Sequence, residues 1–477
     1  MTLDILVHRV YFFLESFIIG YIFTINSIYF LLTVFGFFIL RRHQEEPSDS
    51  ERAALLGSTM MPRISVIMPS YNEALSIRDS LTSMLKLNYP NFEVIVVNDG
   101  SKDRTIDILI EHFRLYKSAR AQTGSLDTKA VRRVFESAEP HRLLVIDKEN
   151  GGKADAINVG INFAASPLVL VVDSDSLLEP DALLQVVKPY LEDPGRVIAV
   201  GGMVRAVNDC PVHLGRVQQI RSADSYIANC QSVEYLRAFL GGRVGFGFVN
   251  SLLIISGAFG LFRRDVVLQV GGFLHDTIGE DMELVVRLHR MMRTWKRDYR
   301  VVFMATPVCW TEVPSSLKVL RRQRKRWQRG TVDSILLHRE MILNPRYGVV
   351  GMFAVPYFLL FEMLGPLLET VGYVLTILGL MFQIIAPEIA ILFFTVSIMF
   401  GILLSVAALT LDEFTVCRYR TPKDLLKLFF VAIFENLGFR QLLTFWRVQG
   451  LIEGLKGKKG DWGVMERKGF GAAPGRA

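Results

Sequence analysis

Five consecutive apolar residues, Leu168 to Val172, run directly into the sequence Asp173-Ser174-Asp175. A short continuous apolar run of this kind predicts a strand buried on both faces of a parallel sheet. Because side chains alternate along an extended chain, the two aspartates should share one side of the strand's C-terminal end, the edge where open α/β sheets bind ligands. Two carboxylates there suit Mg²⁺ or Mn²⁺. The alternative is a polar loop in which Asp173 or Ser174 caps the next turn.

Further apolar runs alternate with helical patterns on both sides of this strand. The predicted strands are Ile64–Met68, Val94–Val97, Leu143–Ile146, Val169–Val172 and Val197–Val200. Apolar residues recur at helical spacing near 75–87, 103–117, 152–165 and 180–191. This alternation predicts an α/β fold with a largely parallel sheet and right-handed crossovers. The polar and basic segment 117–140 is predicted to be a surface loop.

The composition adds a membrane region to this fold. The 477 residues are 51% hydrophobic with a mean hydropathy of +0.31, which is high for a soluble protein. Residues 10–40 are almost entirely apolar and are followed by Arg41 and Arg42. We therefore expect one transmembrane helix near 17–40, with the chain from residue 41 onward in the cytoplasm.

The C-terminal part contains three further apolar stretches, near 349–381, 388–411 and 425–447. The first two are predicted to span the membrane. The third carries Glu435 and Arg440 in its middle, and a basic tail follows it. A span here would put that tail outside, against the positive-inside rule, so we expect an interfacial or re-entrant segment. The alternative is a true span whose charges face protein or a channel.

Charge and cysteine content exclude several classes of protein. The net charge of +7 is explained by basic cytoplasmic flanks of membrane helices, and the sequence has no helix-turn-helix, zinc-finger or RNA-binding signature. Nucleic acid is therefore not an expected partner. The four cysteines lie far apart and are typical of reduced thiols in a cytosol-facing protein rather than of disulfides or a zinc site; they are Cys210, Cys230, Cys309 and Cys417.

Polar side chains follow the ends of the first two predicted strands. The first strand ends in Met-Pro-Ser-Tyr-Asn-Glu, residues 68–73, and the second in Val-Val-Asn-Asp-Gly-Ser, residues 96–101. Asp99, before a tight glycine turn, can accept hydrogen bonds from a ribose or a base. The competing interpretation is an Asp-Gly turn with a helix cap.

The sequence Glu-Asn-Gly-Gly-Lys-Ala-Asp, residues 149–155, follows the third predicted strand. Its two glycines permit close approach of the backbone to a ligand, and Lys153 lies near a helix N-terminus, where phosphates bind. The pattern is not a P-loop, because Asp147 and Ala154 stand where that motif has glycine and serine or threonine.

The sequence Gly-Glu-Asp, residues 279–281, opens a predicted helix. One interpretation is favourable charge from Glu280 and Asp281 in a first helical turn. The other is a general base, because an acceptor hydroxyl needs a positioned carboxylate to take its proton during attack. Upstream, the small-residue stretch 256–265 is interpreted either as a close-packed acceptor surface or as a tight turn.

The most distinctive motif is Arg-Arg-Gln-Arg-Lys-Arg-Trp-Gln-Arg-Gly, residues 321–330. It is typical of a basic, lipid-facing amphipathic helix. However, Gln323, Arg326 and Trp327 share one helical face by their spacing. Arginine can hold a leaving diphosphate, and tryptophan can stack on a sugar ring.

These motifs in this order resemble the family 2 membrane glycosyltransferases, the group that contains cellulose, hyaluronan and poly-N-acetylglucosamine synthases. The matching motifs are Val-Asn-Asp-Gly-Ser (97–101), Asp-Ser-Asp (173–175), Gly-Glu-Asp (279–281) and Gln-Arg-Lys-Arg-Trp (323–327), with apolar segments on both sides. The resemblance covers residues 63–330 in motifs and the remainder in layout. One departure is Gly279, where many relatives have threonine; this leaves Asp281 in place.

The resemblance implies a GT-A fold and an inverting transfer from a UDP-linked sugar, with Mg²⁺ or Mn²⁺ as cofactor. It implies that uridine is held by Tyr71, Glu73 and Asp99 and that Lys153 faces the diphosphate. It implies that the metal and donor site includes Asp173 and Asp175 and that Glu280 adds to substrate binding. It also implies that Asp281 is the base and that Gln323, Arg326 and Trp327 bind the diphosphate and the acceptor.

Taken together, the expected protein is a multi-pass enzyme of the plasma (inner) membrane with a cytoplasmic catalytic domain. The expected domains are a membrane anchor (1–46), a GT-A domain (47–312), amphipathic interface helices (313–345), a membrane region (346–447) and a basic cytoplasmic tail (448–477). It is expected to move N-acetylglucosamine or glucose to a growing β-linked polysaccharide and export it, or else to make a single transfer to a lipid-linked acceptor. Expected partners besides donor, acceptor and bilayer are a second copy or accessory export subunits. A catalytically inactive scaffold is disfavoured, because every expected ionisable residue is present.

Overall fold

The computed structural model describes residues 3–42, 61–138, 142–415 and 421–457. Cys417, most of the basic tail and most of the linker after the first helix lie outside these residues. The strands are β1 Ile64–Ser70, β2 Phe92–Asn98, β3 Leu115–Lys117, β4 Val131–Ser137, β5 Leu143–Lys148, β6 Leu168–Val172, β7 Ser176–Leu178, β8 Val197–Ala206, β9 Val212–His213, β10 Arg216–Val217, β11 Phe259–Arg263 and β12 Arg300–Thr311.

The helices surround the sheet and continue into an apolar bundle. The α-helices are α1 Leu3–Arg42, α2 Ile77–Leu85, α3 Thr105–Phe113, α4 Lys153–Phe163, α5 Ala182–Glu192, α6 Tyr226–Leu236, α7 Val244–Phe248, α8 Arg264–Gln269, α9 Glu280–Thr294, α10 Leu317–Leu337, α11 Val355–Tyr357, α12 Gly365–Met381, α13 Pro387–Phe394, α14 Phe400–Thr415, α15 Pro422–Phe434 and α16 Phe439–Leu455. Wider π-helical turns cover Arg237–Arg243, Val350–Ala354, Phe358–Met363 and Thr395–Met399, and 3₁₀ turns cover Arg339–Met341 and Pro345–Tyr347.

Among the described residues, ten strands form one sheet in the order β3-β4-β5-β2-β1-β6-β11-β8-β12-β7. Strands β5, β2, β1 and β6 run parallel, and all five strands predicted from apolar runs are present. Alternate residues of β1 enter two different cores: Val66 and Met68 pack on one face of the sheet, and Ile67 packs on the other. Burial on both faces explains why these strands are continuous apolar runs rather than alternating ones.

The sheet is mixed rather than largely parallel, and two segments account for most of its antiparallel pairings. Part of the predicted loop 117–140 is strand β4, which pairs antiparallel with β5. Its outward positions, Arg132 and Arg133, interrupt the apolar pattern that a strand would otherwise show. Strand β11, within the stretch interpreted as a surface or a turn, lies antiparallel between β6 and β8.

The predicted transmembrane helix near 17–40 is part of the longer helix α1, whose apolar part covers Leu6–Arg41. A second helical stretch, Pro387–Phe414, is also long and apolar enough to cross a membrane. Two further pairs of helices meet this criterion only when each bent pair is counted as one span. The described residues therefore contain two to four candidate spans.

The two bent pairs occupy the remaining predicted membrane segments. In the first, the residues up to Met363 and helix α12 meet at 41° beside Pro366, which cannot donate a backbone hydrogen bond to the preceding turn. In the second, α15 and α16 meet at 59°, as in a broken span or a re-entrant loop. Glu435 at this bend accepts hydrogen bonds at 2.7 Å from both Arg237 and Ser405, so its charge faces protein.

A buried ion pair joins the sheet to the second candidate span. Arg205 at the end of β8 is paired with Asp412 near the end of α14, and their side chains are 4% and 0% exposed. A buried pair of this kind contributes strongly to stability only while both partners are present, because a lone buried charge is costly.

We expect Asp412→Ala to lower the free energy of unfolding by about 3–5 kcal/mol, since it strands the Arg205 guanidinium. Thermal unfolding of the detergent-solubilised protein measures the effect. The control is Asp298→Ala, which removes a 77% exposed carboxylate 3.6 Å from Arg196 and should change stability by about 1 kcal/mol or less. Equal shifts in the two variants would show that the buried pair does not hold the sheet to the helix.

Candidate active site

A cavity of about 1040 Å³ lies between the C-terminal edge of the parallel strands and the apolar helices. All the site residues predicted from the sequence line it: Tyr71, Glu73, Asp99, Lys153, Asp173, Asp175, Glu280, Asp281, Gln323, Arg326 and Trp327. The parallel strands bring the first six together, because their carboxyl ends meet at one edge. Helices α9 and α10 supply the others from the opposite wall.

Lys153 lies among three carboxylates at the centre of this edge. Its ammonium is 2.6 Å from Asp173 Oδ1 and 3.6 Å from Glu280 Oε1. Burial alone would lower the pKa of Lys153, but the charges of Asp173, Glu280 and Asp281 outweigh it and raise the pKa above its ordinary value. The lysine is therefore a permanent cation at physiological pH.

Glu280 differs from its neighbour Asp281 in its surroundings. Burial raises the pKa of Glu280, and the opposing charge of Lys153 does not cancel the effects of burial and of Asp281. Asp281 is partly exposed to the cavity; its Oδ2 accepts a hydrogen bond from the Gly257 backbone at 3.1 Å. A Cβ atom at residue 257 would lie 2.9 Å from Lys153 Nζ, so the glycine lets these charged groups approach. Asp281 is thus fixed in orientation yet open to a ligand.

Asp99 makes its hydrogen bonds within the chain. Oδ1 accepts from Lys148 Nζ at 2.7 Å and from the Gly151 backbone at 2.9 Å, and Oδ2 accepts from the Gly152 backbone at 2.8 Å. Asn150 also donates to Oδ2, at 3.1 Å. These contacts order the turn that leads into Lys153. A direct contact between Asp99 and uridine stays a prediction.

Sequence reasoning missed Lys148, which is fully buried and also pairs with Asp155 at 2.5 Å. The available signal was a lysine two residues after the apolar run Leu143–Ile146, because a buried lysine requires a carboxylate partner.

Tyr71 and Glu73 lie at the mouth of the cavity. The Tyr71 side chain is 43% exposed, so its ring is accessible for stacking. The carboxylate of Glu73 accepts a hydrogen bond from Ser76 at 2.7 Å, and its backbone N–H donates to Thr105 at 2.9 Å. Glu73 therefore already supports the loop after β1, and its contact with a uridine stays a prediction.

The basic motif forms part of helix α10. Arg324 is almost fully buried and makes a bidentate pair with Glu234 at 2.6 and 2.8 Å, while its guanidinium lies 4.4 Å from the centre of the Trp327 ring. Trp327 is 41% exposed and lies beside Tyr235, with 6.5 Å between ring centres. Arg324 thus holds the tryptophan ring in place while leaving part of it open.

Gly279 at the start of α9 packs directly on Gly330 in α10. A Cβ atom at residue 279 would lie 2.8 Å from the Gly330 Cα atom. This close approach requires glycine at both positions, because a side chain on either residue would collide with the other backbone. It also fixes the distance between Asp281 and the basic motif, because Gly279 is two residues from Asp281 and Gly330 is three residues from Trp327.

The donor set suits a divalent cation that also binds phosphate. Asp173 and Asp175 line the cavity together, and the Lys153 ammonium already lies against Asp173 as a cation. No group of three or more His, Cys, Asp or Glu side chains that could hold a metal occurs in the part of the chain that the structure describes. Mg²⁺ or Mn²⁺ fits two carboxylates when substrate phosphates complete its coordination.

The cavity continues to the candidate membrane helices, through residues that sequence reasoning did not single out. At that end Arg447 of α16 donates to Gln328 at 2.8 Å and to the Glu362 carboxylate at 3.0 Å. Tyr29 of α1 also donates to Glu362. Because Pro366 has no N–H, the backbone carbonyl of Glu362 is freed; it accepts from Gln328 at 3.1 Å and from Arg447 at 2.7 Å. The helix that carries Trp327 is thereby tied to the kinked membrane helix.

A sequence profile described as "Glycosyltransferase like family 2" matches residues 62–330, and one described as "Chitin synthase" matches residues 268–420. The chain is 27% identical over 312 residues to a poly-beta-1,6-N-acetyl-D-glucosamine synthase of Staphylococcus epidermidis, covering 65% of this chain and 64% of that one. It is 30% identical over 274 residues to the same-named synthase of Staphylococcus aureus strain COL, covering 57% and 55%. The matches thus span less than two thirds of the relatives' own length.

Among solved structures, a mannosyltransferase of Pyrobaculum calidifontis, determined in complex with GDP-Man and Mn²⁺, aligns with a TM-score of 0.51 at 18% identity. The alignment covers 93% of this chain and 100% of the other. This likeness confirms the GT-A type of fold predicted from the motifs. Because the family profile covers more than half of the residues, including the predicted site, the chain belongs to the family 2 glycosyltransferases.

Proposed function

We propose that this protein transfers N-acetylglucosamine from UDP-N-acetylglucosamine to the end of a growing β-linked polysaccharide, with UDP-glucose as the second candidate donor. The observation that carries the proposal is the single cavity shared by the donor-side residues, Asp281, Trp327 and the membrane helices. The names of the two staphylococcal synthases support N-acetylglucosamine as the sugar.

The donor diphosphate is proposed to lie between Lys153 and Arg326. Both are cations that line the cavity, and the charge of each lowers the pKa of Glu280. The Lys153 ammonium lies 3.6 Å from Glu280 Oε1. Asp173 and Asp175 would hold Mg²⁺ or Mn²⁺, which neutralises the leaving diphosphate when bound. Charge–charge contacts to phosphate fix its position, so the sugar's anomeric carbon would point toward Asp281.

Asp281 is proposed to take the proton of the acceptor hydroxyl. The acceptor oxygen forms a bond to the anomeric carbon while the bond from that carbon to the UDP phosphate oxygen breaks. UDP leaves with the electron pair, and the proton passes to Asp281 and then to water. Attack opposite the leaving group inverts the anomeric configuration. The backbone N–H groups of Gly257 and Met282 donate to Oδ2 at 3.1 Å and to Oδ1 at 2.8 Å, which orients the carboxylate while each oxygen keeps a lone pair for the acceptor proton.

The half-open ring of Trp327 is proposed to hold the acceptor after each transfer. A sugar's apolar face can stack on the ring whatever the chain length, so the product could advance without dissociating. The cavity reaches the helices that contain Tyr29 and Glu362, which is the direction in which a product would leave toward the membrane. We further propose that the catalytic domain is cytoplasmic, where nucleotide sugars are made, and that the protein is a multi-pass protein of the plasma membrane.

We expect Asp281→Asn to lower the transfer rate by roughly 10²-fold or more while UDP binding persists, because the amide keeps the shape but cannot accept the proton. Radiolabelled sugar transfer and UDP titration measure the two quantities. Asp276→Asn, an exposed position just before the same helix, is the matched control and should transfer at the normal rate. If Asp281→Asn is also normal, that carboxylate is only a favourable charge at a helix terminus.

Purified protein given UDP-N-acetylglucosamine or UDP-glucose is expected to yield a polymer, and Trp327→Ala is expected to shorten or abolish it. The reason is that loss of the ring removes the surface on which the product is held between transfers. Gel filtration of labelled product gives the chain length. A lone lipid-linked monosaccharide as the sole product with every donor tried would favour the single-transfer alternative.

A further inference from the structure

Arg243 lines the cavity but has no role in the chemistry described so far. It ends the π-helical turn that follows helix α6, and such turns often occur at functional sites. Its guanidinium lies 4.1 Å from the centre of the Phe239 ring. No carboxylate among the described residues lies within ion-pair distance of Arg243, and its Nη1 atom is shielded from solvent without a hydrogen-bond partner there. The structure therefore presents an unpaired cation to the cavity.

The charge of Arg243 persists at neutral pH. Burial lowers the pKa of Arg243 to about 10, which is still well above neutrality, and the nearby charge of Asp281 opposes the shift. An unpaired, partly buried guanidinium is costly for a folded protein unless a ligand supplies oxygen atoms for its donors. This cost points to a ligand whose oxygens reach Arg243.

Arg243 reaches the cavity from a different element than the donor-side cations. Lys153 begins helix α4 and Arg326 lies in helix α10, whereas Arg243 ends the π-helical turn after helix α6. The charge of Asp281 raises the pKa of Lys153 and opposes the lowering of the pKa of Arg243, so both cations lie near the proposed base. The turn that carries Arg243 packs against helix α1, which contributes Tyr29 to the membrane end of the cavity. Arg243 thus lies on the side of the base from which an acceptor would approach, with aromatic rings beside it.

We propose that Arg243 forms a binding subsite for the acceptor saccharide, with its guanidinium donating hydrogen bonds to hydroxyl or acetamido oxygens of the sugar next to the reacting one. This inference rests on the proposed function, because it names the residue that holds the second substrate. The guanidinium lies over the buried ring of Phe239, and the partly exposed ring of Tyr235, which also lines the cavity, suits the apolar face of a pyranose.

The test compares Arg243→Gln and Arg243→Lys with wild type in a transfer assay that uses short β-linked N-acetylglucosamine oligosaccharides as acceptors. We expect the KM for the oligosaccharide to rise by about tenfold or more in Arg243→Gln, the scale of a lost hydrogen bond to a charged group. Arg243→Lys keeps the charge but loses the paired donors, so its KM should rise less. UDP affinity and acceptor-independent hydrolysis of the donor should not change.

Arg196→Gln, which removes a half-exposed guanidinium outside the cavity, is the control and should behave as wild type. An unchanged oligosaccharide KM in Arg243→Gln would overturn the inference, as would a parallel loss of UDP affinity, which would move Arg243 to the donor side. If Arg243→Gln does not fold, judged by its Tm, Arg243→Lys alone decides, and an unchanged KM in that variant overturns the inference.

A second acceptor separates saccharide from phosphate recognition. The same variants are assayed with a polyprenyl phosphate in detergent micelles, and a defect confined to this acceptor would contradict the saccharide assignment. Failure of wild-type protein to form polymer from any UDP-sugar, with or without an added oligosaccharide, would refute the proposed function itself. Normal elongation by wild type with an unaltered Arg243→Gln would refute only the subsite.

Discussion

The arrangement of the cavity depends on the contacts of Lys153 with Asp173 and Glu280. Without the lysine, Asp173, Glu280 and Asp281 would repel one another at the same edge of the sheet. With it, one permanent cation lies among the three carboxylates and offsets their repulsion. The lysine in turn is positioned by the turn that Asp99 orders, so the first two strand ends and the donor side are linked.

A second constraint is the contact between the basic helix α10 and the candidate membrane helices. Gln328 and Arg447 both donate to a carbonyl that Pro366 leaves without a helical partner. The residue next to Gln328 is Trp327, so the ring that faces the cavity is one residue away from the hydrogen bonds at the bend of the candidate membrane helix. Under the proposed function, a product that displaces Trp327 as it moves past would also perturb the hydrogen bonds at this bend. Both donors have a further acceptor there: Gln328 also donates to the Met363 carbonyl at 3.0 Å, and Arg447 to the Glu362 carboxylate at 3.0 Å.

Much of this architecture was predictable, and the exceptions have physical reasons. Strands buried on both faces, such as β6, appear as continuous apolar runs, and parallel strands collect the residues at their carboxyl ends, so the donor-side motifs could be placed together from the sequence. Strand β4 was missed because its outward arginines break the pattern. Lys148 and Arg243 were missed because a single buried charge leaves no periodic pattern in the sequence. The partner of Lys148, Asp99, is also distant in the sequence. The bends at the membrane helices depend on tertiary contacts and had no local signal beyond Pro366.

The central claim is that the carboxylates at the end of β6 bind the donor diphosphate through a divalent cation. Calorimetric titration of UDP into the purified protein, with Mn²⁺ and with excess EDTA, tests it most directly. Wild type should bind UDP more tightly with Mn²⁺, and Asp175→Asn should lose this metal-dependent gain while keeping its Tm. Equal UDP affinity and full transfer activity in excess EDTA would contradict the account.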